Sequence, residues 1–133
     1  MIPEQSHIVV VNDTPEFLEL MAEILHDARY PVTVIDGDRP NAVELIRAAV
    51  PAALIIDLRV GNEELHGWDV IQAVRRDPGL CELPTLICSG DTRALARLEE
   101  SIAGMRRVAT ITKPFNIDEL LSSLGALLER EPA

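Results

Sequence analysis

The feature that most constrains the fold is an uninterrupted apolar run that ends in one carboxylate. Residues 52–56 are all aliphatic, and Asp57 follows them directly. A continuous apolar run predicts a strand covered on both faces, as in a parallel sheet, because a half-exposed strand would alternate. Asp57 would then stand at the carboxyl end of a central strand, where open α/β sheets bind ligands. The alternative is an Asp that merely ends a strand or starts a turn.

Four further apolar runs alternate with segments of helical periodicity. The predicted strands cover 8–11, 32–35, 52–57, 84–88 and 108–112, and the predicted helices cover 15–28, 38–50, 67–76, 91–104 and 116–128. Alternation of strand and helix predicts parallel strands joined by right-handed crossovers. We therefore expect an α/β fold, a doubly wound, flavodoxin-like (βα)5 sandwich of three layers with sheet order 2-1-3-4-5.

Size and composition narrow the function. A length of 133 residues predicts a single domain over 1–133 with a core of about 7–129. The net charge of −10 argues against direct nucleic-acid binding, which needs clustered cations. Residues 1–7 lack the pattern of a secretion signal, and no apolar stretch is long enough to span a membrane. We expect a cytoplasmic protein with reduced thiols at Cys81 and Cys88.

Polar side chains follow four of the predicted strands at the point where each strand ends. They are Asn12-Asp13, Asp57, Ser89 and Lys113. Parallel strands bring these ends to one edge of the sheet, where two carboxylates repel unless a cation intervenes. Mg²⁺ or Mn²⁺ suits such oxygen ligands. Lys113 is the only lysine among 12 basic residues. A carboxylate beside a metal, an ammonium and a hydroxyl is suited to phosphoryl transfer, with Asp57 as nucleophile.

In these features the chain resembles the response-regulator receiver domain of two-component signalling, the CheY-like superfamily. The resemblance covers about residues 7–129. It rests on the following residues in this order: Asn12-Asp13, Asp57, Gly67, Ser89-Gly90 and Lys113-Pro114-Phe115. No single motif is specific, but all of them in order at successive strand ends make a strong match.

The resemblance implies a role for each site residue. Asp57 would accept a phosphoryl group from a histidine kinase or a histidine phosphotransfer protein. Asp13, Asp57 and the backbone carbonyl of Arg59 would hold Mg²⁺. Lys113 would contact Asp57 and then the phosphoryl group, and Ser89 would bond a phosphoryl oxygen.

The resemblance also implies how the signal would leave the site. Phosphorylation would shift the face made of the fourth helix, fifth strand and fifth helix, which would bind an output protein or a second copy of the chain. The Lys113–Pro114 bond would be cis. We expect no enzymatic turnover beyond self-phosphorylation and slow autodephosphorylation.

Four positions depart from the family pattern. Asn12 replaces a second acid, so it would reach the metal through a water and metal affinity should fall. The loop 58–66 is two residues longer than usual. Thr110 stands at the switch position that normally carries an aromatic ring. Arg59 and Asp91 flank the phosphosite, and we expect them to pair across the pocket mouth and to tune dephosphorylation, which Arg59→Ala would test.

Two other readings stay open. A degenerate receiver that binds partners without phosphorylation is favoured by Asn12 and Thr110. A small phosphatase with an aspartyl nucleophile would usually carry an acid two residues after Asp57, where Arg59 stands.

Overall fold

Five short parallel strands form one sheet in the computed structural model, which describes residues 6–37, 39–58 and 66–129. The strands are β1 (Ile8–Asn12), β2 (Val32–Asp36), β3 (Ala53–Ile56), β4 (Thr85–Ser89) and β5 (Val108–Thr112). Their order across the sheet is β2-β1-β3-β4-β5, and every pairing is parallel. The predicted fold class and strand order are therefore confirmed.

Two apolar layers cover the faces of the sheet. Because successive strand side chains point to opposite faces, Val9, Leu54 and Ile56 belong to one buried cluster and Val10 and Ile55 to the other. The first cluster continues into the helices α2 (Ala42–Ala49), α3 (His66–Arg76), α4 (Thr92–Arg97) and α5 (Glu99–Ala103). The second continues into α1 (Pro15–Asp27) and α6 (Ile117–Glu129). The result is the predicted three-layer sandwich.

The ends of the helices follow local chemistry. Pro15 opens α1, where a missing N–H costs nothing. Asn116 and Glu119 have the three-residue spacing of a capping box. In the structure the Glu119 backbone N–H donates to Asn116 Oδ1 at 2.8 Å, and the Asn116 N–H donates to Glu119 Oε1 at 3.3 Å, so the box is present at the start of α6. Within the described residues, no helix is long and apolar enough to cross a bilayer.

Two predicted helices differ from the structure. The second begins at Ala42 rather than at residue 38, because Arg39 precedes Pro40 and the residue before a proline avoids helical angles. The fourth is divided into α4 and α5, which meet at Leu98. Neither Gly nor Pro marks that division in the sequence, so the periodicity predicted one helix. The output face implied by the resemblance therefore consists of α4, α5, β5 and α6.

Candidate functional site

The register of the sheet brings the polar strand ends to one edge. Val11 of β1 is level with Ile56 of β3, so Asn12 and Asp57 leave the sheet side by side. On the other side of β3, β4 pairs with β5, and the Lys113 backbone N–H donates to the Ser89 carbonyl at 2.9 Å. The predicted gathering of strand ends is present in the structure.

A short contact at this edge joins Lys113 to Asp57. The ammonium Nζ lies 2.7 Å from Asp57 Oδ2. The side chains are 29% and 12% exposed, respectively, so the pair is only partly screened by water. A charge-assisted hydrogen bond of this length fixes the position of the cation on the carboxylate. The Lys113–Pro114 peptide bond is cis, as the resemblance implied.

An aromatic ring contacts the same ammonium. Lys113 Nζ lies 4.3 Å from the centroid of the Phe17 ring, within the range of a cation–π interaction. The helical periodicity of residues 15–28 places Phe17 on the apolar stripe of the first helix. Phe17 does pack against the core cluster around Val10 and Ile55, so the stripe was real. Nothing in the helical spacing indicated that the edge of that stripe would meet the lysine.

The two residues after β1 differ in exposure. Asn12 is 3% exposed, and its Oδ1 accepts a hydrogen bond from the Thr14 backbone N–H at 2.9 Å. That bond orients the Asn12 amide and stabilises the turn into α1. Asp13 is exposed at the same edge of the sheet. Because an amide oxygen has two acceptor positions, the contact with Thr14 leaves the proposed water-mediated role of Asn12 chemically possible.

Ser89 connects the edge of the sheet to the first turn of α4. Its side chain is fully buried, and its Oγ accepts a hydrogen bond from the Asp91 backbone N–H at 3.1 Å. Asp91 in turn caps α4, because its Oδ1 accepts from the Ala94 N–H at 2.9 Å. A shallow pocket lies above these residues, lined by Asp57, Ser89, Gly90, Asp91, Thr92, Arg93 and Lys113.

Gly67 packs directly against the backbone of Asp57. A Cβ atom at Gly67 would lie 1.7 Å from the Asp57 carbonyl oxygen and 2.8 Å from that of Leu58. The N-terminal end of α3 therefore packs against the end of β3 at a distance that only glycine permits. The sequence predicted that Gly67 opens this helix, and the contact shows why the residue has no side chain.

Cys88 lies in β4 close to the site but is buried, with 1% of its surface exposed. Burial raises the pKa of its thiol to about 12; the Asp57 charge adds to the rise and Lys113 opposes it. The thiol is therefore neutral at physiological pH and is a poor nucleophile.

Two of the predicted positions, Thr110 and Asp91, are described by the structure and lie at the margin of the site. Thr110 is exposed on β5, level with Ile87 of β4, so its short side chain offers no ring that could move between buried and exposed positions. Asp91 lines the pocket, as expected. Arg59 lies outside the described residues, and so do its carbonyl as a metal ligand and its pairing with Asp91.

The donors at this edge fit a hard divalent cation. Asp13 and Asp57 supply carboxylate oxygens, and Mg²⁺ usually takes one or two carboxylates and keeps several waters. A carboxylate has about four lone-pair positions, so an ammonium on Oδ2 does not exclude a metal from Asp57. Within residues 6–37, 39–58 and 66–129, no three His, Cys, Asp or Glu side chains form a ready-made metal cluster.

Comparison with known proteins defines the class. Residues 8–125 match the family model of the response regulator receiver domain, and the chain belongs to this family. Receiver domains are signalling modules of two-component systems.

Three particular proteins show what the chain is similar to. The DNA-binding dual master transcriptional regulator RpaA of Synechocystis is 29% identical over 126 residues, which cover 92% of this chain and 49% of that protein. The chemotaxis protein CheY of Pseudomonas aeruginosa is 24% identical over 123 residues, covering 92% and 96%. The receiver domain of sensor histidine kinase PA1611 from P. aeruginosa, solved with magnesium coordinated in its active-site cleft, has a TM-score of 0.77 at 23% identity, covering 95% and 99%. The chain thus spans about half the length of the transcriptional regulator.

Proposed function

We propose that this chain is a Mg²⁺-dependent phosphoacceptor and that Asp57 receives the phosphoryl group. The observation that carries the proposal is the 2.7 Å contact between Lys113 Nζ and Asp57 Oδ2 at the carboxyl edge of the sheet. A lone ammonium on a largely buried carboxylate places positive charge where a phosphoryl group would add negative charge. Membership of the receiver family supports the same role.

Apart from the bond to Asp57, the transfer depends on positioning and on charge neutralisation. A carboxylate oxygen of Asp57 attacks the phosphorus of a phosphohistidine, and the O–P bond forms as the P–N bond breaks. The donor imidazole leaves with the electron pair and takes a proton from solvent. Lys113 turns from the carboxylate to a phosphoryl oxygen, and the Ser89 hydroxyl donates to another. When bound, Mg²⁺ or Mn²⁺ would supply charge neutralisation, held by Asp13, Asp57 and the carbonyl of Arg59, with Asn12 acting through a water.

The signal would leave through the hydrogen bonds that join Ser89 to α4. If the Ser89 side chain swings to donate to the phosphoryl group, the distance from its Oγ to the Asp91 N–H changes, and Asp91 caps α4. The face made of α4, α5, β5 and α6 would then change its affinity for partners. Thr110 cannot provide an aromatic switch, so the route through Asp91 carries the coupling in this proposal.

The proposed partners follow from this chemistry. The phosphodonor is a histidine kinase or a histidine phosphotransfer protein, and such a donor would place the chain in the cytoplasm. The output partner is a protein or a second copy of the chain that binds the α4, α5, β5 and α6 face. With a net charge of −10 we propose no direct contact with nucleic acid or membrane.

A mass measurement tests the proposal. Wild-type chain and Asp57→Asn are incubated with a small-molecule phosphodonor, with Mg²⁺ or with a chelator. We expect one added phosphoryl mass in the wild type with Mg²⁺ and none in the variant or with chelator. Failure of the wild type to gain mass would contradict the proposal. Steady turnover of a phosphate ester would instead support a phosphatase.

A second candidate is a receiver that binds its partner without phosphorylation. Thr110, which offers no aromatic switch, and Asn12, which stands where the family usually has a second acid, favour it. In that case Asp57→Asn would leave partner binding unchanged. A phosphoacceptor would instead lose its dependence of partner binding on the phosphodonor.

A further inference from the structure

The Lys113 ammonium contacts a carboxylate and an aromatic ring. On one side its ammonium contacts Asp57 Oδ2 at 2.7 Å, and on the other it lies 4.3 Å from the Phe17 ring centroid. We propose that Phe17 is a positioning residue for the phosphoryl-transfer site, because its ring keeps the Lys113 ammonium at the phosphoacceptor. This inference rests on the proposed function and assigns a role to a residue of α1.

An aromatic ring is well suited to this task in an acidic protein. Acids outnumber bases by 22 to 12, and Asp13 lies at the same edge of the sheet as Asp57. The Asp13 carboxylate is a second anion that could attract the flexible lysine away from Asp57. The face of a ring attracts a cation through its quadrupole but carries no net charge. Phe17 therefore restrains the ammonium without adding an anion that would repel an incoming phosphoryl group.

The ring itself is fixed by the core. Phe17 packs against the buried cluster that includes Met21 and Leu25 of the same helix, and α1 follows directly from the turn that carries Asp13. The short link from the turn into α1 therefore fixes the position of Asp13 and of the Phe17 ring together. The lysine stem has four carbons and many rotamers, so a fixed second contact raises the fraction of time that the ammonium spends at Asp57.

The size of the effect follows from the strength of such contacts. Lys113 is 29% exposed, which places the pair between an open and a desolvated site. Loss of a cation–π contact in this range should lower the population of the correctly placed ammonium about two- to fivefold. Because transfer needs the cation at the site, phosphorylation should slow by the same factor.

A series of fluorinated phenylalanines at position 17 tests the proposal. Each added fluorine weakens the quadrupole of the ring while its volume changes little. We expect the rate of phosphorylation by a small-molecule donor with Mg²⁺ to fall stepwise from Phe to trifluoro-Phe, and Phe17→Leu to lie about two- to fivefold below the wild type. Tyr30→Leu is the matched control. Tyr30 packs on the same cluster, and the control variant should keep the wild-type rate.

A second readout does not depend on phosphorylation. The ring current of Phe17 should move the Lys113 ε-methylene proton resonances upfield, and Phe17→Leu should abolish that shift while Tyr30→Leu keeps it. Rates that do not change along the fluorine series, in a wild type that does gain the phosphoryl group, would overturn the inference alone. A wild type that gains no phosphoryl group would overturn the proposed function and this inference with it.

Discussion

Replacing Gly67 by Ala tests how closely α3 packs against the end of β3 at Asp57. In Gly67→Ala, the new methyl group would lie 1.7 Å from the Asp57 carbonyl oxygen, far below the 3.0 Å that real Cβ atoms respect. Its nearest neighbours are backbone atoms of residues 57 and 58, which cannot rotate away as a side chain does. The helix and the strand end must therefore move apart by more than an ångström.

The cost can be stated from that geometry. Overpacking of a rigid site costs about 1–3 kcal/mol, and backbone neighbours place Gly67→Ala at the upper end, at about 3 kcal/mol. With a urea dependence of about 2 kcal/mol per molar, the unfolding midpoint should fall by roughly 1.5 M. Asp57 should also lose its alignment with Lys113, so phosphorylation should be slower in the folded fraction.

The assay is urea unfolding followed by far-ultraviolet circular dichroism, with Gly104→Ala as the control. A Cβ at Gly104 would meet its nearest atoms at 3.7 Å, and the backbone there already has helical angles. That variant should match the wild type or gain about 0.4–1 kcal/mol from a less flexible unfolded chain. If Gly67→Ala and Gly104→Ala have the same urea unfolding midpoint, α3 does not approach Asp57 as closely as described.

Three further variants or reagents probe separate contacts. Asn116→Ala removes the cap of α6 and should cost about 1 kcal/mol in urea unfolding; no loss would mean that the reciprocal bonds with Glu119 contribute nothing. At pH 8, iodoacetamide should label exposed Cys81 and spare Cys88, because a thiol pKa raised to about 12 keeps Cys88 protonated until strongly alkaline pH; equal labelling by peptide mass would contradict its burial. Ser89→Ala should slow phosphorylation about fivefold, the value of one hydrogen bond, and an unchanged rate would remove Ser89 from the site.

The sheet could be predicted from the sequence because its signals are local. Uninterrupted aliphatic runs such as 52–56 identify strands buried on both faces, and alternation with helices leaves few topologies. The order of the strands then places Asp57 and Lys113 at one edge. The register that sets β5 beside β4, and Lys113 beside Ser89, is seen only in the structure.

The contacts that refine the site could not be predicted, because they depend on distances between elements. The apolar stripe of α1 does not reveal that the Phe17 ring meets the Lys113 ammonium. A ring that only packs on the core and a ring that also contacts a cation have the same helical spacing in the sequence. The Asn12 amide could be seen as a missing acid but not as a brace for Thr14. The division of the predicted fourth helix at Leu98 lacks a Gly or Pro signal, so tertiary packing alone decides it.

The position of the acyl phosphate is the most direct test of the central claim. After incubation with phosphodonor and Mg²⁺, borohydride reduction would convert a phosphorylated aspartate into homoserine, which peptide mass spectrometry assigns to one position. We expect homoserine at position 57 alone, and a lower yield when Lys113 is replaced by Met. Homoserine at Asp13 or at another carboxylate, or none in the wild type, would contradict the assignment of Asp57 as the phosphoacceptor.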